Sequence, residues 1–305
     1  MQNVRKPIFD GIKMGFFDGK VIVLTGGGGT LGLHLAEELL KNYKPSAVRL
    51  LDNNEEALFW AEQKLVGFKG ARYFLGDIRD KPRLLLAFEG ADIVFHTAAL
   101  KHVHISEYSP FEALKTNVLG TENCVEAALE KGVKVFVHLS SDKSVEARGT
   151  YGVSKLLSER LVLDARRYRG DRPTKFVIVR PANFFKSSGS VMEIWEKQLK
   201  EGKPLSVTHP KMERYFMTIE EIVQLVLYAT EKGEDGQILI PANAKLYKII
   251  DLAKSMSDNI QVTGVRVGEV LKQKLMLPEE KVRARLNRIK NIWIIPPEKI
   301  RSEET

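Results

Sequence analysis

The fold is decided by a stretch near the start of the chain, Lys20-Val21-Ile22-Val23-Leu24-Thr25-Gly26-Gly27-Gly28-Gly29-Thr30-Leu31-Gly32. Its β-branched first part predicts a buried strand, and residues 31–43 predict a helix. Gly26 permits a tight turn, Gly29 lets the backbone approach a pyrophosphate, and Gly32 lets helix and strand pack closely. The amides at the start of the helix would then bind the phosphates. The residues predicted to form this dinucleotide-binding turn are Thr25, Gly26, Gly28, Gly29, Thr30, Leu31 and Gly32.

An acidic residue follows the second predicted strand, residues 47–51. Asp52 lies twenty residues beyond Gly32, about where a carboxylate accepts hydrogen bonds from an adenosine ribose. It would repel a 2′-phosphate, and Asn53 rather than an arginine follows it. We therefore predict NAD rather than NADP, with Asp52 and Asn53 near the ribose. The alternative is that Asp52 only begins a solvated acidic helix.

The third and fourth predicted strands, residues 71–75 and 91–96, end in further candidate cofactor contacts. An acidic and an apolar residue after the third strand could bracket an adenine, or form only a turn and a helix cap. Small residues after the fourth strand let the backbone run close to a ligand. These candidates are Asp77, Ile78, Thr97, Ala98 and Ala99.

Two polar positions follow in the next segment. His102 and His104 could suggest a metal site, but no cysteine, histidine and carboxylate set completes one there. Lys101 and His102 are therefore predicted to reach substrate, with Lys101 also near the cofactor. A helix is predicted over residues 109–131, begun by Ser109-Pro110. Asn117 lies in its middle, where it holds either a link near the cofactor or a purely structural contact.

The chemistry is predicted to lie between a strand at residues 133–139 and a helix at residues 151–168. Ser140, Ser141, Asp142 and Lys143 follow the strand, and its carboxyl end is where ligands bind in an open α/β sheet. Tyr151 and Lys155 lie one helical turn apart, and we expect the lysine to lower the pKa of the phenol. Tyr151 would then accept a proton from a substrate hydroxyl. The alternative is that Tyr-x-x-x-Lys is an accidental pair. The candidates here are Ser141, Asp142, Lys143, Tyr151 and Lys155 for catalysis, and Ser140 together with Tyr151 and Lys155 for the cofactor.

Five strand–helix units in series predict an α/β fold, a Rossmann-type doubly wound parallel sheet. A sixth strand, residues 175–179, leads to Pro181 near the cofactor and Asn183 near the substrate. The remainder is predicted to be a small C-terminal substrate-binding lobe, too interrupted for a second sheet, in which Arg214 and Arg266 could grip an anion. The predicted division is an N-terminal extension 1–18, a dinucleotide-binding domain 19–181, a lobe 182–283 that can exchange elements with it, and a basic tail 284–305.

Composition narrows the functional classes. The chain has 305 residues and a net charge of +8, but its basic residues are scattered, so nucleic-acid binding is the weaker interpretation of the charge. The single cysteine, Cys124, is predicted to pack in the core and cannot form an internal disulfide, as in a reducing compartment. No apolar run approaches the ~18 residues needed to span a membrane. We expect a cytoplasmic protein without a membrane span or a bound metal.

Taken together, these motifs resemble the extended short-chain dehydrogenase/reductase family. Within it they are most similar to the polysaccharide-biosynthesis (CapD-like) group of nucleotide-sugar 4,6-dehydratases and epimerases, which acts on UDP-N-acetylglucosamine. The resemblance covers residues 14–280. It rests on Ala98-Ala99-Leu100-Lys101-His102-Val103, Lys115-Thr116-Asn117-Val118-Leu119-Gly120-Thr121, Ser140-Ser141-Asp142-Lys143 and Gly264-Val265-Arg266-Val267-Gly268-Glu269.

The chain departs from the group at two places. The Asn-Pro-rich loop usual before the tyrosine is Ser144-Val145-Glu146-Ala147-Arg148-Gly149-Thr150 here. The usual Gly-Asn after the sixth strand is Ala182-Asn183. These differences bear on which sugar is bound and on the elimination step.

The resemblance implies a mechanism and a set of alternatives. Tyr151 would deprotonate the sugar 4-hydroxyl as NAD takes the hydride, with Lys155 on the nicotinamide ribose and Ser141 on the 4-oxygen. Lys143 would remove the proton on carbon 5, and Asp142 would protonate the departing 6-hydroxyl. Arg214, Arg266 and Glu269 would hold the nucleotide, and the enzyme would be a homo-oligomer. The alternatives are a UDP-sugar 4-epimerase, which does not need Asp142 and Lys143 as an acid–base pair, and a non-catalytic NAD-binding sensor or scaffold.

Overall fold

A parallel sheet built from the first six strands organises the molecule. The structure is a computed structural model that describes residues 12, 13, 15–185 and 189–298. All six predicted strands are present, each within two residues of its expected bounds. They are β1 (Val21–Thr25), β2 (Ala47–Asp52), β3 (Ala71–Leu75), β4 (Ile93–His96), β5 (Val135–Leu139) and β6 (Lys175–Val179).

The order of these strands in space is β3-β2-β1-β4-β5-β6, and every neighbouring pair is parallel. The direction of winding reverses between β1 and β4, which creates a crevice at the carboxyl ends of the strands. The predicted doubly wound sheet is therefore confirmed.

Helices cover both faces of the sheet. The one predicted over residues 109–131 is continuous but irregular, because a π-helical segment at Lys115–Leu119 separates α5 from α6. Asn117 lies at its centre, and such segments often mark functional sites. The helices up to β6 are α1 (Thr30–Asn42), α2 (Glu55–Lys64), α3 (Lys81–Ala87), α4 (Val103–Tyr108), α5 (Pro110–Leu114), α6 (Gly120–Glu130) and α7 (Thr150–Tyr168).

The C-terminal part contains two small sheets of its own, so the expectation of no second sheet was wrong. Strands of two to five residues pair there, too short for a clear alternating pattern in the sequence. One sheet has the order β11-β9-β7 and the other joins β12 to β8. The elements are β7 (Asn183–Phe184), α8 (Val191–Lys200), β8 (Leu205–Val207), β9 (Glu213–Met217), α9 (Ile219–Lys232), β10 (Ile238–Pro241), β11 (Lys245–Lys248), α10 (Ile249–Lys254), β12 (Ile260–Val262) and α11 (Pro278–Arg283).

The segment predicted to be a basic tail instead extends the main sheet. β13 (Arg285–Asn287) and β14 (Ile292–Ile295) are antiparallel to each other, and β14 pairs with β10, which is parallel to β6. The apolar run in β14 drives this, because Ile292 and Ile295 are fully buried. The other predicted domain bounds stay predictions. Residues 1–11, 14, 186–188 and 299–305 lie outside the described residues.

Two apolar layers, one on each face of the sheet, form the core. Cys124 is fully buried in one of them, as predicted, and burial raises the pKa of its thiol. Phe17, from the predicted N-terminal extension, is fully buried in the other layer and packs edge-to-face on Tyr43. Among the helices of the described residues, none has the length and apolar character needed to cross a membrane.

Candidate active site

The glycine-rich turn at the crevice is too tightly packed for side chains. Gly26 has a φ of +71°, and a Cβ there would lie 2.8 Å from the backbone N of Ala98. A Cβ on Gly32 would lie 2.3 Å from the Gly26 carbonyl. Gly29, by contrast, begins α1 with no side-chain cap, and its Cβ would meet only the Gly26 oxygen at 3.2 Å. The start of α1 is therefore open to an anion, as the sequence predicts for a pyrophosphate.

The carboxylates near the turn bind neighbouring backbone and side chains. Asp52, at the end of β2, accepts from the Gly28 N–H at 3.0 Å. It thereby holds the turn while lying where a ribose is expected. Asn53 donates to Asp77 at 3.2 Å. Burial opposes ionisation of Asp77, but its hydrogen bonds with Arg79 outweigh burial and lower its pKa.

Other predicted cofactor residues act as structural braces. Ile78 is 5% exposed and packs on Gly120 of α6, which leaves little of its surface for an adenine. Asn117 accepts from the Leu100 N–H at 2.8 Å and donates to the Leu100 carbonyl at 3.0 Å and to Ser154 at 2.9 Å. Asn117 thus ties the loop after β4 to α7, the helix that carries Tyr151 and Lys155.

The remaining candidates lie at the carboxyl ends of three adjacent strands. The Thr97 hydroxyl donates to the Thr25 carbonyl at 2.7 Å, which joins the ends of β4 and β1. Ser140 and Pro181 are buried after β5 and β6. Ala99 is half-buried in the loop that Asn117 braces.

The Ser141-Asp142-Lys143 segment forms a compact polar cluster after β5. Asp142 is 2% exposed and accepts at Oδ1 from the Ser141 hydroxyl at 3.0 Å and from Lys143 Nζ at 3.1 Å. Lys143 also donates to Asn183 Oδ1 at 2.8 Å, and Asn183 donates to Asp142 Oδ2 at 3.0 Å. The cluster joins the hydroxyl, the carboxylate and the amine of this segment to the amide of Asn183, which the sequence analysis assigned only to the substrate.

Tyr151 reaches this cluster, but its pKa differs from the expectation. Burial raises the pKa of Tyr151 to about 12, a hydrogen bond with Ser141 opposes the rise, and Asp142 adds to it. The predicted lowering by Lys155 was wrong for this structure. Lys155 Nζ instead donates to the Leu139 carbonyl at 2.7 Å, with His138 Nε2 at 3.5 Å.

Lys155 is a buried group whose pKa lies near 8. Burial lowers the pKa of Lys155 to about 8, and Glu159 opposes the shift. His138 and His96 lie beside it with pKa values lowered by burial and by the lysine charge, so they stay neutral. Lys155 is therefore charged below about pH 8 and neutral above it.

A pH profile tests this assignment. If the Lys155 cation is needed at the cofactor, kcat/KM falls as the pH rises through about 8, because kcat/KM reports groups of the free enzyme. In Lys155→Arg the residual activity lacks this descending limb, because guanidinium stays charged. A descending limb that is unchanged in Lys155→Arg would show that another group titrates.

Only some of the predicted substrate residues lie near the Ser141-Asp142-Lys143 cluster. The charge of Arg214 acts on Asp142 and Glu269, although burial still lowers the pKa of Arg214. Arg266 is exposed and contacts Glu269 through its backbone, with its N–H donating to the carboxylate at 3.2 Å and its carbonyl accepting from the Glu269 N–H at 3.1 Å. Burial, opposed by Glu193, lowers the pKa of Lys101.

His102 lies at the rim of the site beside His104. Its ring packs against Gly189, and its centroid is 6.2 Å from that of His104. Within residues 15–185 and 189–298, no three histidines, cysteines or carboxylates are arranged to hold a metal ion.

Sequence reasoning missed Gln273, which is 7% exposed and faces both Asp142 and Lys143. It follows the Gly264–Glu269 motif by four residues, but nothing in the local pattern marks it. Only the tertiary fold brings this segment to the end of β5.

A buried ionic cluster behind the site was also missed. Arg180 is 1% exposed and forms ion pairs of 2.8 Å with Glu159 on α7 and with Glu280 on α11. The Ser144 hydroxyl lies 2.9 Å from Glu159 Oε1 and 2.7 Å from the Ser141 carbonyl, and its single hydrogen can donate to either acceptor. Through Glu159 and Ser144, Arg180 therefore stabilises the segment after β5 that carries Ser141, Asp142 and Lys143.

This cluster gives a stability prediction. Arg180→Met leaves two buried carboxylates without their partner, and such a loss typically costs about 3–5 kcal/mol of the free energy of unfolding. The control is Arg167→Met, whose side chain is 62% exposed and which should change stability by no more than about 0.5 kcal/mol. Urea unfolding at neutral pH measures both. Equal effects of the two substitutions would contradict the assigned role.

Comparison with known proteins places this site in a family. A model described as "Polysaccharide biosynthesis protein" matches residues 22–295. The chain belongs to this family. The predicted resemblance to the CapD-like group of extended short-chain dehydrogenases/reductases is thereby confirmed.

Relatives within the polysaccharide biosynthesis family carry several names. An uncharacterized membrane protein of Methanocaldococcus jannaschii is 42% identical over 277 residues, 87% of this chain and 83% of the relative. A UDP-N-acetylglucosamine 4,6-dehydratase (inverting) of Campylobacter jejuni is 37% identical over 84% of this chain and 77% of its own length. A UDP-glucose 4-epimerase of Rickettsia massiliae is 34% identical over 88% and 81%. The prediction that the chain is an enzyme of this family is confirmed.

Solved structures agree with the fold. The X-ray structure of Pen from Bacillus thuringiensis has a TM-score of 0.88 and 33% identity, covering 92% of this chain and 90% of that one. DesIV, a dTDP-glucose 4,6-dehydratase of Streptomyces venezuelae crystallised with NAD, has a TM-score of 0.79 and 20% identity over 93% and 94%. At this lower identity, the second match supports the fold alone.

Proposed function

We propose that the protein is an NAD-dependent UDP-N-acetylglucosamine 4,6-dehydratase of polysaccharide or glycan precursor biosynthesis. The observation that carries the proposal is the Asp142–Lys143 pair, held at 3.1 Å beside Ser141 and Tyr151. An acid and a base in addition to the tyrosine are what elimination of water requires and what epimerisation does not.

The residues around the glycine turn fit NAD. The start of α1 has no side-chain cap, and Asp52 stands at the end of the neighbouring strand. The glycine turn would let the pyrophosphate approach the start of α1, with Lys155 near the nicotinamide ribose. The Gly28 and Gly29 N–H groups themselves donate to Asp52 and to the Gly26 carbonyl. Bound NAD would accept the hydride from carbon 4 and return it at carbon 6. A carboxylate at Asp52 favours NAD over NADP.

Tyr151 can accept the 4-hydroxyl proton without first becoming a phenolate. Its hydroxyl is hydrogen-bonded to Ser141, and Ser141 donates to Asp142 Oδ1 at 3.0 Å. As Tyr151 takes the substrate proton, it can pass its own to Ser141, and Ser141 can pass its own to Asp142. This path offsets the raised pKa of Tyr151, because the final acceptor is a carboxylate.

The same transfer prepares the second step. Asp142 now carries the proton that the departing 6-hydroxyl needs to leave as water. Lys143 Nζ, in its neutral form, takes the proton on carbon 5, which the neighbouring 4-keto group has made acidic. Oxidation at carbon 4 therefore supplies the acid for elimination. When the hydride returns to carbon 6, Lys143 gives a proton back to carbon 5, so the proton count of the enzyme closes over a turnover.

The nucleotide and the sugar are assigned to the C-terminal part. Arg214 lies near Asp142 and Glu269 and could fork two phosphate oxygens. Lys101, His102 and Asn183 would line the sugar. The loop 144–150, which differs from the usual Asn-Pro-rich sequence of the group, would lie over the sugar and set its identity.

A second candidate is a UDP-sugar 4-epimerase, favoured by the relative of that name at 34% identity. It would use Tyr151, Ser141 and Lys155 and would leave Asp142 and Lys143 as binding groups. We also propose that the protein is cytoplasmic, which its single buried cysteine supports. We further propose that it forms a homo-oligomer, which the family resemblance supports.

Mass spectrometry of the sugar nucleotide separates the candidates. UDP-N-acetylglucosamine incubated with the purified protein, without added cofactor and then with NAD, should lose the mass of one water. An unchanged mass with a new isomer on chromatography would instead establish the epimerase. No change would exclude both activities for this substrate and direct the test to other sugar nucleotides.

A further inference from the structure

A glutamine from the C-terminal part of the chain contacts both members of the acid–base pair. Gln273 is 7% exposed. The backbone on either side of it is fixed, because Arg214 donates to the Leu271 carbonyl and Arg180 to the Leu275 carbonyl, each at 3.2 Å. The position of Gln273 is therefore set by two arginines, of which Arg214 is half-buried and Arg180 belongs to the buried ionic cluster with Glu159 and Glu280.

The two ends of the Gln273 amide face different partners. One end lies 2.7 Å from Asp142 Oδ2 and 3.1 Å from Asn183 Nδ2, and the other lies 3.2 Å from Lys143 Nζ. With nitrogen at the first end, the amide donates to an Asp142 carboxylate and accepts from a Lys143 ammonium. Asn183 Nδ2 then has no acceptor on Gln273 and keeps its bonds to Asp142 and to the Tyr215 carbonyl. With oxygen at the first end, it accepts from Asn183 and from a protonated Asp142, and it donates to a neutral Lys143 amine.

We propose that Gln273 is a positioning residue for elimination, which holds the Asp142–Lys143 pair in place in both of its proton states. This inference rests on the proposed dehydratase function and deepens it. An ionic side chain could match only one of the two states, and an apolar one could match neither. A neutral amide matches both proton states, because rotating its end group by 180° exchanges the donor and the acceptor.

The two states are the ones that elimination connects. In the neutral pair, Lys143 Nζ takes the carbon-5 proton, and the C5–H electrons form the C5=C6 bond. The C6–O bond breaks, and the departing oxygen takes the Asp142 proton and leaves as water. The pair ends as ammonium and carboxylate, with Gln273 turned to its other orientation. The pair therefore stays fixed while its charges change.

The test separates oxidation from elimination in the holoenzyme with NAD. Oxidation alone is measured with the 6-deoxy analogue of UDP-N-acetylglucosamine, which has no leaving group, by the near-ultraviolet absorbance of the reduced cofactor. Elimination is measured with the natural sugar by loss of water. The variants are Gln273→Met, which removes donor and acceptor, and Gln273→Glu, which keeps the size but has no amide donor. The control is Lys272→Met, whose side chain is 71% exposed on the same segment.

We expect both Gln273 variants to catalyse the loss of water from the natural sugar about 10- to 100-fold more slowly, because each leaves hydrogen bonds to a buried charged pair unmade. Oxidation of the 6-deoxy analogue should stay within about threefold of wild type, and Lys272→Met should change neither rate. Equal slowing of both reactions would mean a merely structural role, and unchanged elimination would mean no role. Both results overturn the inference. If wild type itself oxidises the analogue but never releases water, the dehydratase proposal fails instead.

Discussion

Replacing Tyr151 with phenylalanine should lower turnover by about 10²–10⁴-fold and leave NAD binding intact. The phenol is the group that meets the 4-hydroxyl, and its path to Asp142 through Ser141 is lost without the oxygen. The ring itself is 7% exposed and keeps its packing, so the fold is retained. Turnover is measured by product formation, and cofactor binding by titration of the protein with NAD.

The control for this prediction is Tyr108→Phe. Tyr108 lies on α4 with 90% of its side chain exposed, and losing its hydroxyl should not alter the rate. A Tyr151→Phe enzyme that turns over at the wild-type rate would remove the tyrosine from the chemistry. The raised pKa of Tyr151 would then reflect only its burial and would have no part in catalysis.

The second large effect is expected at the acid–base pair. Lys143→Met should slow water loss by about 10²–10⁴-fold, while the 6-deoxy analogue is still oxidised at carbon 4. Removing the amine takes away the base for carbon 5 but leaves the Tyr151–Ser141–Asp142 path. The two readouts together distinguish a dehydratase from an epimerase, in which oxidation alone would account for turnover.

Asp142→Asn should behave differently from Lys143→Met. It removes both the final proton acceptor of the oxidation path and the acid for elimination, so both half-reactions should slow. The exposed substitution Asp164→Asn, at a side chain 50% accessible on α7, should change neither. Normal oxidation of the analogue by Asp142→Asn would show that the proton of Tyr151 leaves by another route.

Local sequence was sufficient for the parts of the site that lie within single units. The glycine turn, Asp52 and the Tyr151–Lys155 pair each follow from a strand, a turn and a helix in series. Their positions are fixed by the carboxyl ends of parallel strands, which adjacent units share. Asn183 was singled out by the family resemblance, as the asparagine a few residues after the sixth strand.

Long-range contacts could not be predicted in this way. Gln273 reaches Asp142 from more than a hundred residues away, and Arg180 pairs with Glu159 and Glu280 across three elements. None of these side chains has a periodic or spacing signal. The tail was misassigned for a similar reason, since its short apolar run becomes a strand only beside β10.

Electrostatics was the other limit. One helical turn of separation suggested that Lys155 would lower the pKa of Tyr151. In the fold, the lysine points its charge at the Leu139 carbonyl, and burial of the phenol dominates, raising its pKa to about 12. Sequence spacing gives a distance along a helix, but not the desolvation that decides the sign of such a shift.

The most direct test of the proposed activity is the reaction of UDP-N-acetylglucosamine with the holoenzyme in deuterium oxide, followed by mass spectrometry and proton NMR of the product. Elimination by Lys143 and Asp142 predicts a product lighter by one water that carries solvent deuterium at carbon 5. A product of unchanged mass, with no deuterium at carbon 5, would contradict the dehydratase.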